Sequence, residues 1–431
     1  MKSTLINFCF LLGTLDVAAQ ITLQNPNGTM PADIQAPGAP SLGDMRYNDQ
    51  QRIQQQNAAI MQMHNVRIQS QQKQLREISE EMRQDERQQR LISYEFPESQ
   101  QHSVQYFKQS FSELQNMLDG KQDLSLKRAV FLSENAFLDN SLSYEWFCQD
   151  IATNLDVLQS FMVKEKLDLK NDIAKKYMLQ KFFSDTLTMR DGKGNQQFTH
   201  YPFKYDFDDP YGSKDWRKMF VTKLIRDKKG QCHSLPLLYL IFAEELNIKA
   251  WLSYSPQHSY IKTQDSKGIW YNFETTNGQY SSDTWLLSSG YVKTEAMKNK
   301  IYMDTLSKKE TIAACLVDLA NAYTQKFGYD KYVLTCADKA LQYNPKNIFA
   351  WQLKSNYYTY LLQHVAKQFN YPPQEDLHLY PKLYEIYKKT YELHQVVENS
   401  GFEEMPLEMY KAWLLSFEKE KNKQPIKVIR P

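Results

Sequence analysis

Gly230-Gln231-Cys232-His233-Ser234-Leu235-Pro236 runs directly into an apolar stretch, Leu237 to Leu246, and how this join is read decides the fold. Pro236 has no N–H, so it cannot donate to the carbonyl four residues back, that of Cys232. The loss is harmless where a helix is just beginning, so the proline sets Cys232 at a helix N-terminus. The helix dipole there favours a thiolate and lowers the thiol pKa. Gly230 is expected to let the chain turn sharply into the helix. Leu237, Leu238, Ile241, Phe242 and Leu246 make one broad apolar face, as in a buried central helix that would hold the sulfur rigidly.

Three short strands follow, expected at Lys249 to Tyr254, His258 to Thr263 and Ile269 to Phe273. Asp265-Ser266-Lys267-Gly268 is the turn between the last two. A hairpin centred between Ser266 and Lys267 sets His258 against residue 274 or 275, so turn position alone pairs His258 with Glu274. Asn272 shares that face because strands repeat every two residues, and it is the reserve for the same role. A thiol, an imidazole and a carboxylate in this order suggest a cysteine nucleophile, its base and an orienting group: Cys232, His258 and Glu274. A lone cysteine on a buried helix is more often a small hydrophobe. The combination, one residue at a helix start and two paired across a hairpin, is what favours a site. His233 invites a metal reading with Cys232 and His258, but adjacent side chains rarely converge on one ion. No metal or cofactor is expected.

These segments resemble the transglutaminase-like superfamily. Gly230 to Pro236 with its apolar helix looks like that family's nucleophile helix, and Pro256-Gln257-His258-Ser259-Tyr260 looks like its histidine strand. Trp270-Tyr271-Asn272-Phe273-Glu274-Thr275-Thr276-Asn277-Gly278 is similar to its acid-bearing strand and turn. Glu274 stands where the family has aspartate, and Thr275 where it has proline. The likeness covers roughly residues 215 to 290, and more weakly 125 to 215. It implies an α+β fold with a papain-like, transglutaminase-type core at 93–300 (helical part 93–190, Cys/His/acid part 215–290). It also points to a bacterial branch with tetratricopeptide-like repeats after the core.

The rest of the chain fits an exported protein. Lys2, the apolar stretch Leu5 to Leu15 and Val17-Ala18-Ala19 make a signal peptide at 1–19, too short to span a bilayer. Residues 20–44, with Pro26, Pro31, Pro37 and Pro40, are expected to be a flexible linker. From 45 to 92 the sequence is Gln-rich, with apolar residues seven apart at Ile53 and Ile60, then at Ile68, Leu75 and Met82. That is a long amphipathic or coiled-coil helix. A solvated stalk or oligomerisation helix explains it more simply than a glutamine donor for transamidation. Three helices are read between 100 and 190 from the Val104, Ala129 and Phe147 stripes, and a loop from Met189 to Tyr211. Residues 301–431 read as an all-α helical domain in which the pattern from Ala314 to Pro345 resembles one tetratricopeptide repeat.

Charge and cysteine usage narrow the function classes. With 52 basic and 50 acidic residues the formal net charge is +2, which gives no case for nucleic acid. No later apolar run is long enough to cross a membrane. After the signal peptide four cysteines remain, too few for a disulfide scaffold; Cys315 and Cys336 form either a bridge or two buried free thiols. The expectation is a cysteine protease, amidase or acyltransferase of the periplasm or extracellular space. It would act on a protein or peptide substrate, with the helical tail binding a protein partner. The competing class is a catalytically silent scaffold for assembly in the cell envelope. An active Cys232 is expected in an open groove; a structural one is not.

Overall fold

The structure, a computed structural model, describes residues 42–190, 197–288 and 291–421. The expected signal peptide and nearly all of the expected linker lie outside these residues. The chain divides at Ile92 into two units. Among its described residues the first holds the helix α1 (Leu42–Leu91), close to the expected span. Ile68, Leu75, Ile78 and Met82 on it are exposed.

The second unit, from Ser93, mixes helices with small sheets and is of the α+β class. Its first helices are α2 (Val104–Leu118), α3 (Leu126–Phe137), α4 (Tyr144–Lys164) and α5 (Asp172–Ser184). Ser125, Ser143 and Asn171 start the last three, each side chain accepting a backbone N–H of the first turn. The expected loop after Met189 contains a hairpin instead. β1 (Leu187–Arg190) pairs antiparallel with β2 (Gln197–His200), Met189 facing Phe198. Strands this short carry no two-residue periodicity from which to infer them.

The helix marked by Pro236 is α7 (Ser234–Glu245), buried at every residue from Ser234 to Ala243. Tyr239 and Phe242 on it meet the rings of Phe182, Phe183 and Phe203. Across it lies an antiparallel sheet in chain order: β5 (Trp251–Ser255), β6 (His258–Gln264), β7 (Trp270–Glu274) and β8 (Gln279–Ser281).

Two short helices, α8 (Asp283–Leu287) and α9 (Thr294–Lys298), lead to α10 (Lys308–Phe327), α11 (Lys331–Tyr343), α12 (Ile348–Gln368), α13 (Pro381–Asn399) and α14 (Leu407–Lys421). Ser307 and Glu310 form a reciprocal capping box at the start of α10. Ala313, Ala320, Ala337 and Ala340 are fully buried where α10 and α11 approach. Across the expected boundary at 300/301, α10 packs on α2 and α3 as well as on α11. The Phe107 ring lies edge-on to Tyr323 and Phe327, and the Tyr332 hydroxyl donates to the Phe107 carbonyl. One apolar face of α10 was thus needed by the helices before the sheet, which a reading of the tail alone does not show. Cys315 and Cys336 are buried free thiols.

Candidate active site

Cys232 sits two residues before α7. The strand ahead of it, β4 (Lys229–Gly230), pairs parallel with β3 (Lys204–Tyr205). Gly230 is required for space rather than for an unusual backbone angle: a Cβ there would lie 2.5 Å from Ser234 Oγ and 3.0 Å from Leu224 Cδ1. Gln231 is fully buried, its Nε2 donating to the carbonyls of Asp206 at 2.9 Å and Asp209 at 2.7 Å. Ser259 on β6 donates to the Cys232 carbonyl. The residues on both sides of the sulfur are therefore fixed, and Cys232 itself is 8% exposed.

His258 opens β6 after a tight turn at Pro256-Gln257, where Gln257 has φ 55° and Ser255 faces His258. The hairpin register is shifted from the expected His258–Glu274 pairing. Ile261 pairs with Phe273 and Lys262 with Asn272, so Glu274 lies diagonally from His258 rather than directly opposite. Diagonal neighbours stand about 7–8 Å apart, within reach only of long side chains. The extra methylene of glutamate bridges that gap. His258 Nε2 donates to Glu274 Oε2 at 2.7 Å, and the two side chains are 0% and 1% exposed. Ser281 Oγ on β8 donates to the other carboxylate oxygen at 2.8 Å. The turn after Glu274 packs on α5 through Gly278, where a Cβ would lie 2.3 Å from Ser184 Cβ. Asn272 does share the face, but its amide donates to Asp283 Oδ1 at 2.7 Å. Glu274, not Asn272, is the partner of His258.

Charge at the site follows from this packing. Burial pushes the Cys232 thiol up, but hydrogen bonding to His258, the imidazolium charge and the Tyr410 hydroxyl outweigh it, and the thiol ends below its ordinary value. Burial works against a charge on His258 too; Glu274 and the thiol overcome it and raise the imidazole to about 9. Both shifts favour a thiolate–imidazolium pair with a carboxylate behind it. His233 adds a smaller charge effect that also lowers the Cys232 thiol, but its own side-chain partner lies elsewhere. Its Nε2 lies 3.4 Å from Asp318 Oδ2 on α10, which ties the start of α7 to that helix. Among the described residues no cluster of three or more His, Cys, Asp or Glu could hold a metal ion, and no helix is long and apolar enough to cross a membrane.

The expected open groove is absent over the sulfur, because α14 lies there. Tyr410 Oη is 3.3 Å from Cys232 Sγ, and the Trp413 ring stands edge-on to His258 at 5.0 Å. Sequence reading missed both residues. The sequence hint was an aromatic spacing, Tyr410, Trp413 and Phe417, at helical intervals, and spacing of that kind does not name a partner some 180 residues away. No protein-family model, curated protein or solved structure matches this chain.

Proposed function

We propose that the chain is an exported cysteine-dependent hydrolase or acyltransferase, acting on a peptide or carboxamide bond through Cys232, His258 and Glu274. The observation that carries this is the buried His258–Glu274 hydrogen bond at 2.7 Å behind a thiol held below its ordinary pKa. A cysteine serving only as a small hydrophobe has its pKa raised by burial, as Cys315 has. The resemblance to the transglutaminase-like superfamily supports the same assignment, and the signal-peptide pattern supports export.

In this reading the Cys232 thiolate attacks the carbonyl carbon and the imidazolium of His258 protonates the leaving amine as the C–N bond breaks. A thioester and neutral His258 remain. His258 then takes a proton from water, giving hydrolysis, or from an amine, giving cross-linking, as either attacks the thioester and expels the thiolate. Glu274 holds the imidazole through Nε2, so Nδ1 is the nitrogen that serves the thiol. The Cys232 backbone N–H is the expected oxyanion donor.

A second reading, a silent scaffold, is favoured by one observation: Cys232 is almost fully covered. Alkylation kinetics separate the two. Cys232 should react with chloroacetamide along a pH profile whose midpoint lies below the ordinary thiol value of about 8.5. His258→Ala should move that midpoint up, and Glu274→Gln should do so less. An unchanged midpoint in both variants would leave the scaffold.

A further inference from the structure

Tyr410 and Trp413 of α14 touch the site. Tyr410 is fully buried: beyond its contact with the sulfur, its hydroxyl is 3.4 Å from that of Tyr205 and its ring stacks on Tyr211 at 5.2 Å. Trp413, against His258, also stacks on Trp285 at 5.0 Å. One ring thus lies on the nucleophile and the other on the base, where a substrate carbonyl would have to approach.

Several α14 residues whose side chains are described face solvent. Leu407, Glu408, Met409, Lys411 and Leu415 are exposed. A helix of this length is marginal in water by itself, so it depends on packing contacts such as those of Tyr410 and Trp413. The segment before it is firmly seated. Gly401 packs so close to α9 that a Cβ would lie 2.3 Å from the Ala296 nitrogen. Asn299 Nδ2 donates to the carbonyls of Asn399 at 3.0 Å and Ser400 at 3.2 Å, and Met405 is buried. A fixed base followed by a helix with a solvent-facing side can lift without unfolding the body, since openings of sparsely buried elements cost least.

We propose that α14 is an autoinhibitory cover whose Tyr410 and Trp413 fill, from within the chain, the subsite that receives an aromatic side chain of a peptide substrate. The walls of that subsite are Tyr205, Tyr211, Trp285 and the face of His258. The proposal rests on Cys232 being the nucleophile, and it makes the chain latent until α14 is lifted.

The test inserts a sequence-specific protease site between the exposed residues Pro406 and Leu407 of the full chain and follows alkylation of Cys232 by peptide mapping. Cys148, which is partly exposed, is the internal reference. Cleavage should raise the Cys232 rate roughly tenfold or more, and the uncleaved Tyr410→Ala, Trp413→Ala chain should show the same rise. A synthetic peptide of residues 405–421 added in excess to the cleaved protein should restore protection. The same peptide with alanine at both aromatic positions should not. No rise in either preparation overturns the cover, and equal protection by the two peptides overturns the aromatic subsite. Loss of the His258 dependence alone, with the rise intact, would remove the enzymatic reading and leave the cover standing.

Discussion

Two helices, α7 and α14, meet at one sulfur atom and are held there in opposite ways. α7 is buried along ten consecutive residues and presents Cys232 from just before its N-terminus. α14 reaches the same atom with Tyr410 while its flanking residues face solvent. The first arrangement fixes where the thiol sits, because α7 cannot shift without opening the core. The second controls only whether anything can approach.

Core truncation is the harshest way to break the contrast. Leu238 is fully buried on α7, whereas Leu415 on α14 is 49% exposed. Leu238→Ala should cost about 2–5 kcal/mol, the sum of lost transfer energy and a cavity. Leu415→Ala should stay within about 0.5 kcal/mol. Urea unfolding of the two variants measures both, and equal losses would mean that α14 belongs to the core.

Acid sharpens the contrast from the α7 side. His200 on β2 stacks on Phe182 at 3.6 Å and its Nε2 donates to the Phe182 carbonyl at 2.8 Å; Phe182 in turn meets Phe242 of α7. Burial lowers this imidazole to about 4 from an ordinary 6.5. The unfolded chain therefore takes a proton that the folded chain refuses. Stability from this group is present above pH 6.5 and is lost as pH falls toward 4, by up to about 3 kcal/mol. His258 has the opposite sign: raised to about 9, its contribution is present below pH 6.5 and lost as pH rises toward 9. Unfolding free energies at pH 7 and pH 4 should converge for wild type and His200→Gln, the wild type losing more. Parallel losses would show that His200 does not hold the bed of α7.

How much of this was legible depended on distance along the chain. Pro236 and the apolar run located α7 and placed Cys232 ahead of it, since a missing N–H and a helix face are local facts. The Asp265-to-Gly268 turn brought His258 and Glu274 together, yet as diagonal neighbours rather than as a direct pair. A turn-centred count cannot tell a direct pair from a diagonal one, and the glutamate's length absorbed the difference. The 187–200 hairpin was too short to show a period. The packing of α10 on α2 through Phe107, and of Tyr410 on Cys232, left no sequence signature, because apolar and aromatic stripes say that a face is covered without naming its partner.

The finest difference between the helices is a single hydroxyl. Tyr410→Phe keeps the ring on Tyr211 and removes only the O–H that faces Cys232 Sγ at 3.3 Å and Tyr205 Oη at 3.4 Å. Sulfur is a weak acceptor, so a net loss of about 0.5–1.5 kcal/mol in stability is the ceiling. The same hydroxyl helps lower the thiol pKa, after the larger contributions of His258. The alkylation midpoint of Cys232 should accordingly move up by less than about one pH unit, one unit being 1.36 kcal/mol. His258→Ala should move it further. That ranking follows from where charge resides: the imidazolium is a full charge locked to the sheet by Glu274, and the phenol is a neutral dipole on a helix that can leave. Were Tyr410→Phe to shift the midpoint as far as His258→Ala, α14 would be part of the machinery that activates the thiol, and its role as a removable cover would fall.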